Sequence, residues 1–412
     1  MGMKLRRRFL ALLLTSSSGL LLAALQPALA TAATATSSGT LYAISGNQDV
    51  LNRVDPISGV LSPIANLAGP HQGQTGTLTV DPIAHVIYAV RTSVIFTPPT
   101  SIQIINEVLT INSVNGSFTT SKPVNEPVNQ IVFDPSNRTL LIDGVNGIFH
   151  VDPSTGGVTP LTNFDRTLNQ GLSGMALDAS THTLYVNDEV PQGGNFGSDI
   201  LTIDSGTGAL RSDVPLPSQV GFLGFDRSRG VLLSTIGCCG PTLVIIDPVA
   251  GTLTPFATIT TDPNVQVGFT MAIDPSSQTV FMVTNSFVCC WTSQAQIVSI
   301  DASGAPTFSP TLSDGVASLL FEPAVTVTPD SIASDVSSSL ATGQITKAGV
   351  ANTLLSDLNS AAAARNHGQC KTASNDYQQF INDVRAQTGK SIAVATASRL
   401  TSEAAFLQAN CP

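Results

Sequence analysis

Six short segments of the sequence concentrate the polar side chains that are suited to binding a ligand. Each segment directly precedes one copy of a repeated apolar strand, so a fold that gathers the strand starts gathers these side chains as well. The candidates are His71, Gln74, Glu126, Asn129, Gln170, Gln219, Gln266 and Asp314. Amides donate and accept hydrogen bonds, which suits the hydroxyls of a glycan or the backbone of a peptide. The two carboxylates, Glu126 and Asp314, would allow a calcium ion, and no other cofactor is predicted.

Acid–base or nucleophilic catalysis has less support in these segments. His71 is the histidine predicted to lie where the strand starts meet. His85 and His182 fall in turns at the opposite strand ends and are predicted to be solvated. The sequence contains no Gly-x-Ser-x-Gly phrase, phosphate-binding loop or His-Glu-x-x-His phrase. The amide-rich set favours binding over catalysis, and metal-assisted hydrolysis or lyase chemistry is the alternative. Three convergent carboxylates where the strand starts meet would favour that alternative.

Two alternating turn phrases predict how the segments are brought together. In one phrase an apolar strand ends in an acid, at positions 81, 134, 178, 226, 274 and 322. In the other a strand ends in Asp-Pro-x-x-Gly or a variant of it, as at Asp55–Gly59, Asp152–Gly156 and Asp247–Gly251. The acid accepts backbone N–H groups, Pro presets φ and Gly supplies a positive φ, so these acids are interpreted as structural. Two turns per repeat of about 50 residues predict four strands, which is a β-propeller blade.

The ends of the repeated region predict how the ring closes. Residues 40–44 form a second-strand phrase with no first strand before it, and the missing first strand appears at residues 316–322. Pairing of these two segments would remove a free sheet edge. The predicted fold is therefore mainly β: a six-bladed β-propeller with strand-swapped ring closure, followed by a small four-helix α domain.

Changes in composition predict the domain organisation. Residues 1–30 are a predicted signal peptide, 31–38 a flexible mature N-terminus, 39–323 the propeller, 324–329 a linker and 330–412 the helical domain. In the last of these, apolar residues recur at the one-sided spacing of core-facing helices.

The first thirty residues have the features of an export leader. Lys4 and Arg6–Arg8 give a basic start, Phe9–Leu25 are largely apolar, and Ala28–Ala30 form a small-x-small cleavage site. Arg6–Leu10 also fit the twin-arginine motif, so the Sec and twin-arginine routes both stay open. The sequence predicts cleavage after Ala30, a secreted or periplasmic location, and no stable membrane insertion.

The six cysteines fit an oxidising compartment. They are Cys238, Cys239, Cys289, Cys290, Cys370 and Cys411. The first two pairs occupy equivalent loops of consecutive blades, which predicts at least one disulfide between the blades. A zinc or copper site at these four thiolates is the alternative, although their spacing is not that of a zinc ribbon. The last two cysteines fall at neighbouring ends of two antiparallel helices and are predicted to pair.

Charge and loop length narrow the class of partner. The formal net charge of −10 argues against nucleic acid, because an acidic surface repels phosphates. Long second-to-third-strand loops at 91–106, 188–199 and 285–296 are predicted to form three walls around the ring opening. The last contains Trp291, the one tryptophan of the chain, as a further candidate contact. The predicted ligand is a glycan, a peptide or a protein.

Two parts of the chain resemble known families. Residues 342–345 with Ala351–Leu355 and Tyr377–Val384 resemble the FIMAH-type domain that ends many secreted bacterial proteins. That resemblance implies an accessory role without catalytic residues. The phrases Leu184–Asn187 and Thr40–Ala43 resemble the ring proteins of the YVTN and NHL-like type, whose motifs identify blades but no activity. The ring also resembles six-bladed lactonases, which hold a divalent cation at the channel mouth. The alternative to a binding protein is therefore a lactonase-like, metal-assisted hydrolase or lyase.

Overall fold

The computed structural model describes residues 39–46, 49–69, 73–97, 101–144, 147–161, 172–192, 195–237, 241–260, 265–288, 292–324, 327–341 and 343–409. Within them, strands form six antiparallel four-stranded sheets. Four helices follow the last sheet. The predicted class, a six-bladed propeller followed by an α domain, is confirmed.

Each sheet is one blade. Blade 1 contains β1 (Gly39–Ser45), β2 (Val50–Val54), β3 (Leu61–Asn66) and the closing strand β24 (Val316–Pro323). Blade 2 contains β4 (Gly73–Asp81), β5 (Val86–Thr97), β6 (Ser101–Asn112) and β7 (Phe118–Thr120). Blade 3 contains β8 (Ile131–Asp134), β9 (Thr139–Gly144), β10 (Gly147–Val151) and β11 (Val158–Pro160). Blade 4 contains β12 (Leu172–Asp178), β13 (Thr183–Gln192), β14 (Asn195–Asp204) and β15 (Leu210–Pro215).

The remaining blades complete the ring. Blade 5 contains β16 (Gly224–Asp226), β17 (Val231–Ile236), β18 (Thr242–Asp247) and β19 (Thr252–Thr258). Blade 6 contains β20 (Val265–Asp274), β21 (Thr279–Val288), β22 (Thr292–Ile300) and β23 (Pro306–Phe308). The first strand of each blade is the inner one. We call the side of the ring where the inner strands start the loop face, and the side where they end the turn face.

The ring closes between its first and last strands. β24 pairs with β1 in antiparallel register, with Leu41 opposite Phe321 and Ala43 opposite Leu319. The order of this sheet is β24-β1-β2-β3, so the last strand becomes the inner strand of the first blade. The predicted closure is therefore confirmed.

The acids of both turn phrases are structural, as predicted. In the outer turns, Asp55 Oδ1 accepts the N–H of Ile57 at 2.9 Å, and Asp247 Oδ1 accepts that of Val249 at 2.8 Å. In the inner turns, Asp274 Oδ1 accepts the N–H of Ser276 at 2.9 Å. Each carboxylate thus replaces a backbone acceptor within its own turn.

The glycines that end the outer turns have a second role. Gly251 has a φ of 66°, and a Cβ at this position would lie 2.6 Å from the carbonyl oxygen of Pro215 in blade 4. A Cβ added at Gly304 would likewise lie 2.5 Å from the carbonyl oxygen of Phe256 in blade 5. These turns therefore pack directly on the backbone of the preceding blade, and a side chain would separate the blades.

Blades with short and long central hairpins alternate around the ring. In blade 2, β5 and β6 have 12 residues each, whereas β9 and β10 of blade 3 have 6 and 5. Blades 4 and 6 also have long hairpins, with central strands of 9 or 10 residues. The segments 91–106, 188–199 and 285–296 are therefore largely paired strand, and their prediction as loops was wrong.

Stacked aromatic pairs show the same alternation. They join blade 2 to blade 3, blade 4 to blade 5 and blade 6 to blade 1, with ring centroids 5.8 to 5.9 Å apart. The pairs are Tyr88–Phe133, Tyr185–Phe225 and Phe281–Phe321. Tyr88, Tyr185 and Phe281 are spaced by 97 and 96 residues. The structural repeat is therefore a pair of blades, present three times.

A buried carboxylate joins blade 1 to blade 2. Glu322 is 6% exposed and accepts hydrogen bonds from Tyr42 Oη at 2.9 Å and Ser113 Oγ at 3.1 Å. His85 Nδ1 lies 2.9 Å from the same carboxylate, and its ring contacts Phe406 with centroids 5.5 Å apart. The prediction of a merely solvated His85 was wrong, because the sequence does not show which residues meet across blades.

Blade 3 and blade 4 form a related contact with a shorter acid. Asp134 accepts a hydrogen bond from Ser205 Oγ at 2.8 Å and another from Ser136 Oγ at 2.5 Å. Ser136 Oγ in turn lies 3.0 Å from Nδ1 of the exposed His182. The serine thus bridges the distance that the longer side chain of Glu322 spans directly in blade 1.

The C-terminal module consists of four helices. They are α1 (Pro329–Ala341), α2 (Ala348–Asn366), α3 (Cys370–Gln387) and α4 (Val394–Ala409). Tyr377 and Phe380 are fully buried in its core, with Leu354 and Leu400. Cys370 is in a disulfide. Its predicted partner Cys411 and the ring cysteines Cys238, Cys239, Cys289 and Cys290 lie outside the described residues, so those pairings stay predictions.

The module contains a buried acid beside the propeller. Glu403 in α4 is 6% exposed. Burial raises its pKa to about 8, and the charge of Asp335 in α1 adds to this, while Arg399 and Arg138 of blade 3 oppose it. Asp335 and Arg399 also form an ion pair with 3.4 Å between Oδ1 and Nη2.

We expect the substitution Glu403→Gln to stabilise the protein at pH 8 by on the order of 2 kcal/mol and to have little effect at pH 4. The ordinary pKa of this group is 4.5, so between pH 4.5 and about 8 the unfolded chain releases a proton that the folded chain keeps. Stability is therefore lost as the pH rises through that window, and the amide removes the loss. Thermal unfolding across pH 4–9 measures this, with Asp330→Asn, at an exposed site in α1, as control. Equal effects of Glu403→Gln at both pH values would contradict the prediction.

Candidate functional site

A cavity of about 480 Å³ opens at the loop face of the central channel. Blades 1, 2 and 6 reach it with residues of their inner strands, at 316–319, 74–78 and 266–271. Blades 3 and 5 have inner strands of only 4 and 3 residues, so they reach it with the non-strand segments 129–130 and 222–223. The entry segment of blade 4, residues 162–171, lies outside the described residues.

Irregular pairing of the inner strands shapes the cavity wall. The register of β4 with β5 shifts between Thr75 and Leu78, and that of β20 with β21 shifts between Val267 and Met271. Such bulges bend a strand and redirect its side chains. Gly76 lies in the first bulge, where an added Cβ would meet no atom within 4 Å. The bulges therefore leave open space at the mouth.

Three of the predicted site residues meet in this cavity. Gln74, Asn129 and Gln266 all line it, and all three are exposed. Gln219 is exposed but lies outside the cavity lining, where Phe222 and Leu223 of the same blade stand instead. His71, Gln170 and Trp291 lie outside the described residues.

The two predicted carboxylates are not part of the described lining. Asp314 is half-buried and accepts the N–H of Gly315 at 2.8 Å. Glu126 is also half-buried, and its backbone carbonyl accepts Asn106 Nδ2 at 3.0 Å. Among the residues that the structure describes, no three His, Cys, Asp or Glu side chains are grouped as metal ligands would be.

The cavity gains two amides that the sequence analysis did not select. Gln130 follows Asn129, and Asn285 lies in β21 opposite Gln266. Asn285 was assigned to a loop, and its place in the cavity depends on β21 extending to Val288. The β-branched and aromatic residues on both sides of Asn285, from Thr279 to Val288, were the signal for a strand that continues through it.

A buried carboxylate fixes the blade 3 segment of the mouth. Asp143 Oδ1 accepts the N–H of Asn129 at 3.0 Å and also that of Gln130. Asp143 is fully buried in β9. This acid therefore orients the two amides of blade 3 without presenting its charge to the cavity.

Side chains of neighbouring blades cap the inner strands inside the channel. Thr79 Oγ1 accepts the N–H of Phe133 at 2.9 Å, and Thr270 Oγ1 accepts that of Leu319 at 3.0 Å. The Gln130 side-chain carbonyl accepts the N–H of Met175. These bonds satisfy donors that inner strands otherwise leave unpaired. The ring and its amide mouth are therefore held by the same residues.

The fold and this mouth define a six-bladed β-propeller with an amide-lined channel opening and an added helical module. No protein-family model and no curated protein matches the sequence. Within the described part of the chain, no helix has the length and apolar character of a membrane-spanning segment.

Solved structures similar to this chain include two described as TolB or putative TolB. The crystal structure of TolB from Acinetobacter baumannii has 15% identity and a TM-score of 0.49, covering 70% of this chain and 67% of that one. The putative TolB from Agrobacterium tumefaciens has 11% identity and a TM-score of 0.42, covering 68% and 91%. A functionally unknown protein from Desulfotomaculum acetoxidans has 12% identity and a TM-score of 0.41, covering 68% and 98%. Similarity this low identifies no activity.

Proposed function

We propose that this protein is a non-catalytic binding protein that holds a neutral, hydrogen-bonding ligand, a glycan or a peptide segment, at the loop-face mouth. The observation that carries the proposal is the amide set of one cavity, formed by Gln74, Asn129, Gln130, Gln266 and Asn285. The cavity volume of about 480 Å³ lies in the range of small-ligand sites. Calcium at the mouth would require Glu126 or Asp314 to turn inward.

The amides are suited to a neutral ligand for a physical reason. A primary amide has two N–H donors and a carbonyl acceptor, so Gln74, Asn129, Gln266 and Asn285 can match a sugar hydroxyl or a peptide group in either direction. Gln130, whose carbonyl accepts the N–H of Met175, contributes its N–H donors. The described lining has no ionised side chain that would select for ligand charge. Phe222 and Met271 add apolar surface against which a sugar ring or an aliphatic side chain would pack.

The triple variant Gln74→Ala, Asn129→Ala, Gln266→Ala should weaken ligand binding at least tenfold without changing the melting temperature. All three side chains are exposed, so their removal leaves no buried group without a partner. The experiment is a screen of the protein against glycan and peptide arrays, followed by calorimetric titration of each hit. Gln219→Ala removes an exposed amide outside the cavity and is the matched control. Hits that bind the triple variant as tightly as the original protein would refute the proposal.

The proposal extends to export and domain organisation. The basic start, apolar stretch and small-x-small site of residues 1–30 support a leader removed after Ala30, and the cysteine content supports an oxidising compartment.

We place the propeller at 39–323, the linker at 324–329 and an accessory helical domain at 330–412. The phrases quoted above support a YVTN or NHL-like ring and a FIMAH-like module. N-terminal sequencing of the exported protein and non-reducing peptide mapping test the leader and the disulfides.

A further inference from the structure

The side chains that line the channel differ between the turn face and the loop face. A second cavity, of about 670 Å³, lies along the turn-face part of the channel. It shares Leu78, Gln130, Leu223 and Met271 with the first cavity, so these four residues lie between the two cavities. Within the described residues its lining includes none from α1–α4.

The rim of this second cavity follows from the repeat. In each blade the residue after the inner-turn acid lies at the rim, which is formed by Pro82, Pro135, Ala179, Arg227, Pro275 and Pro323. Four of the six positions are proline, because proline presets the turn that follows each acid. Arg227 is therefore the one charged side chain in a described lining that is otherwise apolar apart from Thr79 and Gln130.

Arg227 is available to bind an anion. It is exposed, and no ion pair joins it to an acid of the described chain. The neighbouring acid, Asp226, is fully buried and is bound by Arg229 Nε at 2.5 Å. In blade 2 the buried Asp81 is also paired with an arginine, Arg138 of blade 3. The acids behind the rim are therefore engaged within the ring, while the Arg227 guanidinium faces solvent at the rim.

The channel wall is better suited to an alkyl chain than to a peptide. In this wall the inner-strand N–H of Phe133 already donates to Thr79 of the preceding blade. A peptide that entered would find this backbone donor occupied and would meet mainly apolar side chains, which leave its own polar groups unpaired. An alkyl chain has no such groups and gains from burying its surface against the apolar side chains of the wall.

We propose that the turn-face channel binds a long-chain carboxylate, with the alkyl chain in the cavity and the carboxylate on Arg227. A volume of about 670 Å³ accommodates a single chain of this kind. Arginine binds a carboxylate with two parallel N–H donors, which fixes the head group at the rim. The site is separate from the amide mouth and does not depend on the ligand of that mouth.

The test uses hexadecanoate and the uncharged hexadecanol with the full-length protein. We expect hexadecanoate to bind with one-to-one stoichiometry, and Arg227→Gln to weaken it about tenfold while leaving hexadecanol binding unchanged. Lys122→Gln, which removes an exposed charge elsewhere on the ring, should change neither. Ala179→Trp places a large side chain at the rim and should weaken both ligands. Binding is measured by displacement of a fluorescent fatty acid, and folding of each variant by circular dichroism.

Three results would overturn the proposal. The first is failure of hexadecanoate to bind the original protein at micromolar concentration. The second is equal weakening of hexadecanoate binding by Arg227→Gln and Lys122→Gln, which would indicate attraction to overall charge. Hexadecanoate affinity unchanged by both Arg227→Gln and Ala179→Trp would place the ligand elsewhere on the surface.

Discussion

Gly251→Ala is expected to destabilise the protein by about 3 kcal/mol, the larger part of it from contact between blades. The added Cβ would lie 2.6 Å from the carbonyl oxygen of Pro215 and 2.9 Å from Cγ1 of Val214, both in blade 4. Because one of these atoms is backbone, it cannot move aside without shifting the outer strand of that blade. Urea unfolding of the purified variant gives the change in free energy of unfolding.

Blade 5, which contains Gly251, also contains a matched control position, Gly230. Its φ is 65° against 66° for Gly251, and each glycine N–H donates to the carbonyl of the acid four residues before it. A Cβ at Gly230 would meet no atom within 4 Å, so Gly230→Ala should cost only about 1 kcal/mol, from the positive φ. Equal losses in the two variants would show that the contact with blade 4 contributes nothing.

Glu322→Ala is expected to cost about 3 kcal/mol, because it removes the acceptor of two buried hydroxyls and separates His85 from its partner. Tyr42 and Ser113 are 2% and 1% exposed, so water would not replace the carboxylate readily. Thermal and urea unfolding measure the loss. A loss below 1 kcal/mol would mean that this contact does not hold blade 1 to blade 2.

A two-residue substitution can test whether the contact works as the structure indicates. Glu322→Asp shortens the side chain, so the carboxylate should lose its contacts with His85 and Tyr42. Adding Ala324→Ser copies the Asp134–Ser136 arrangement of blade 3, in which the serine reaches the histidine. We expect the double variant to recover part of the stability lost in Glu322→Asp, with the Tyr42 contribution still missing. Ala324→Ser in the original background, where the glutamate already reaches His85, is the control and should have little effect.

The turn phrases made the fold predictable, whereas contacts between blades were not. Acid, proline and glycine act within four or five residues of each other, so their spacing in the sequence determines the turn. The closure of the ring was predictable for the same reason, since a second-strand phrase lacked its first strand. The collision of Gly251 with Pro215 and the approach of His85 to Glu322 depend on how blades pack, which no local pattern records.

The candidate site was predictable to the extent that strand starts were placed correctly. Gln74, Asn129 and Gln266 reach the mouth because each lies just before or within an inner strand. Gln219 does not line it, because β16 has only three residues and the chain enters the channel later, at Phe222. Asn285 was missed because a long hairpin was interpreted as a loop. Errors in strand length therefore became errors in the list of site residues.

The closing pair of strands has a mechanical consequence. Gly39, the first residue of β1, lies opposite Pro323, the last residue of β24, and the helical module follows directly after that strand. Tension between the N-terminus and the helical module would therefore pull on both strands at the same end. Antiparallel strands loaded in this way separate one hydrogen-bonded pair at a time, which takes much less force than shearing all pairs at once. A weak pull along the chain would thus open the ring by separating β1 from β24, pair by pair.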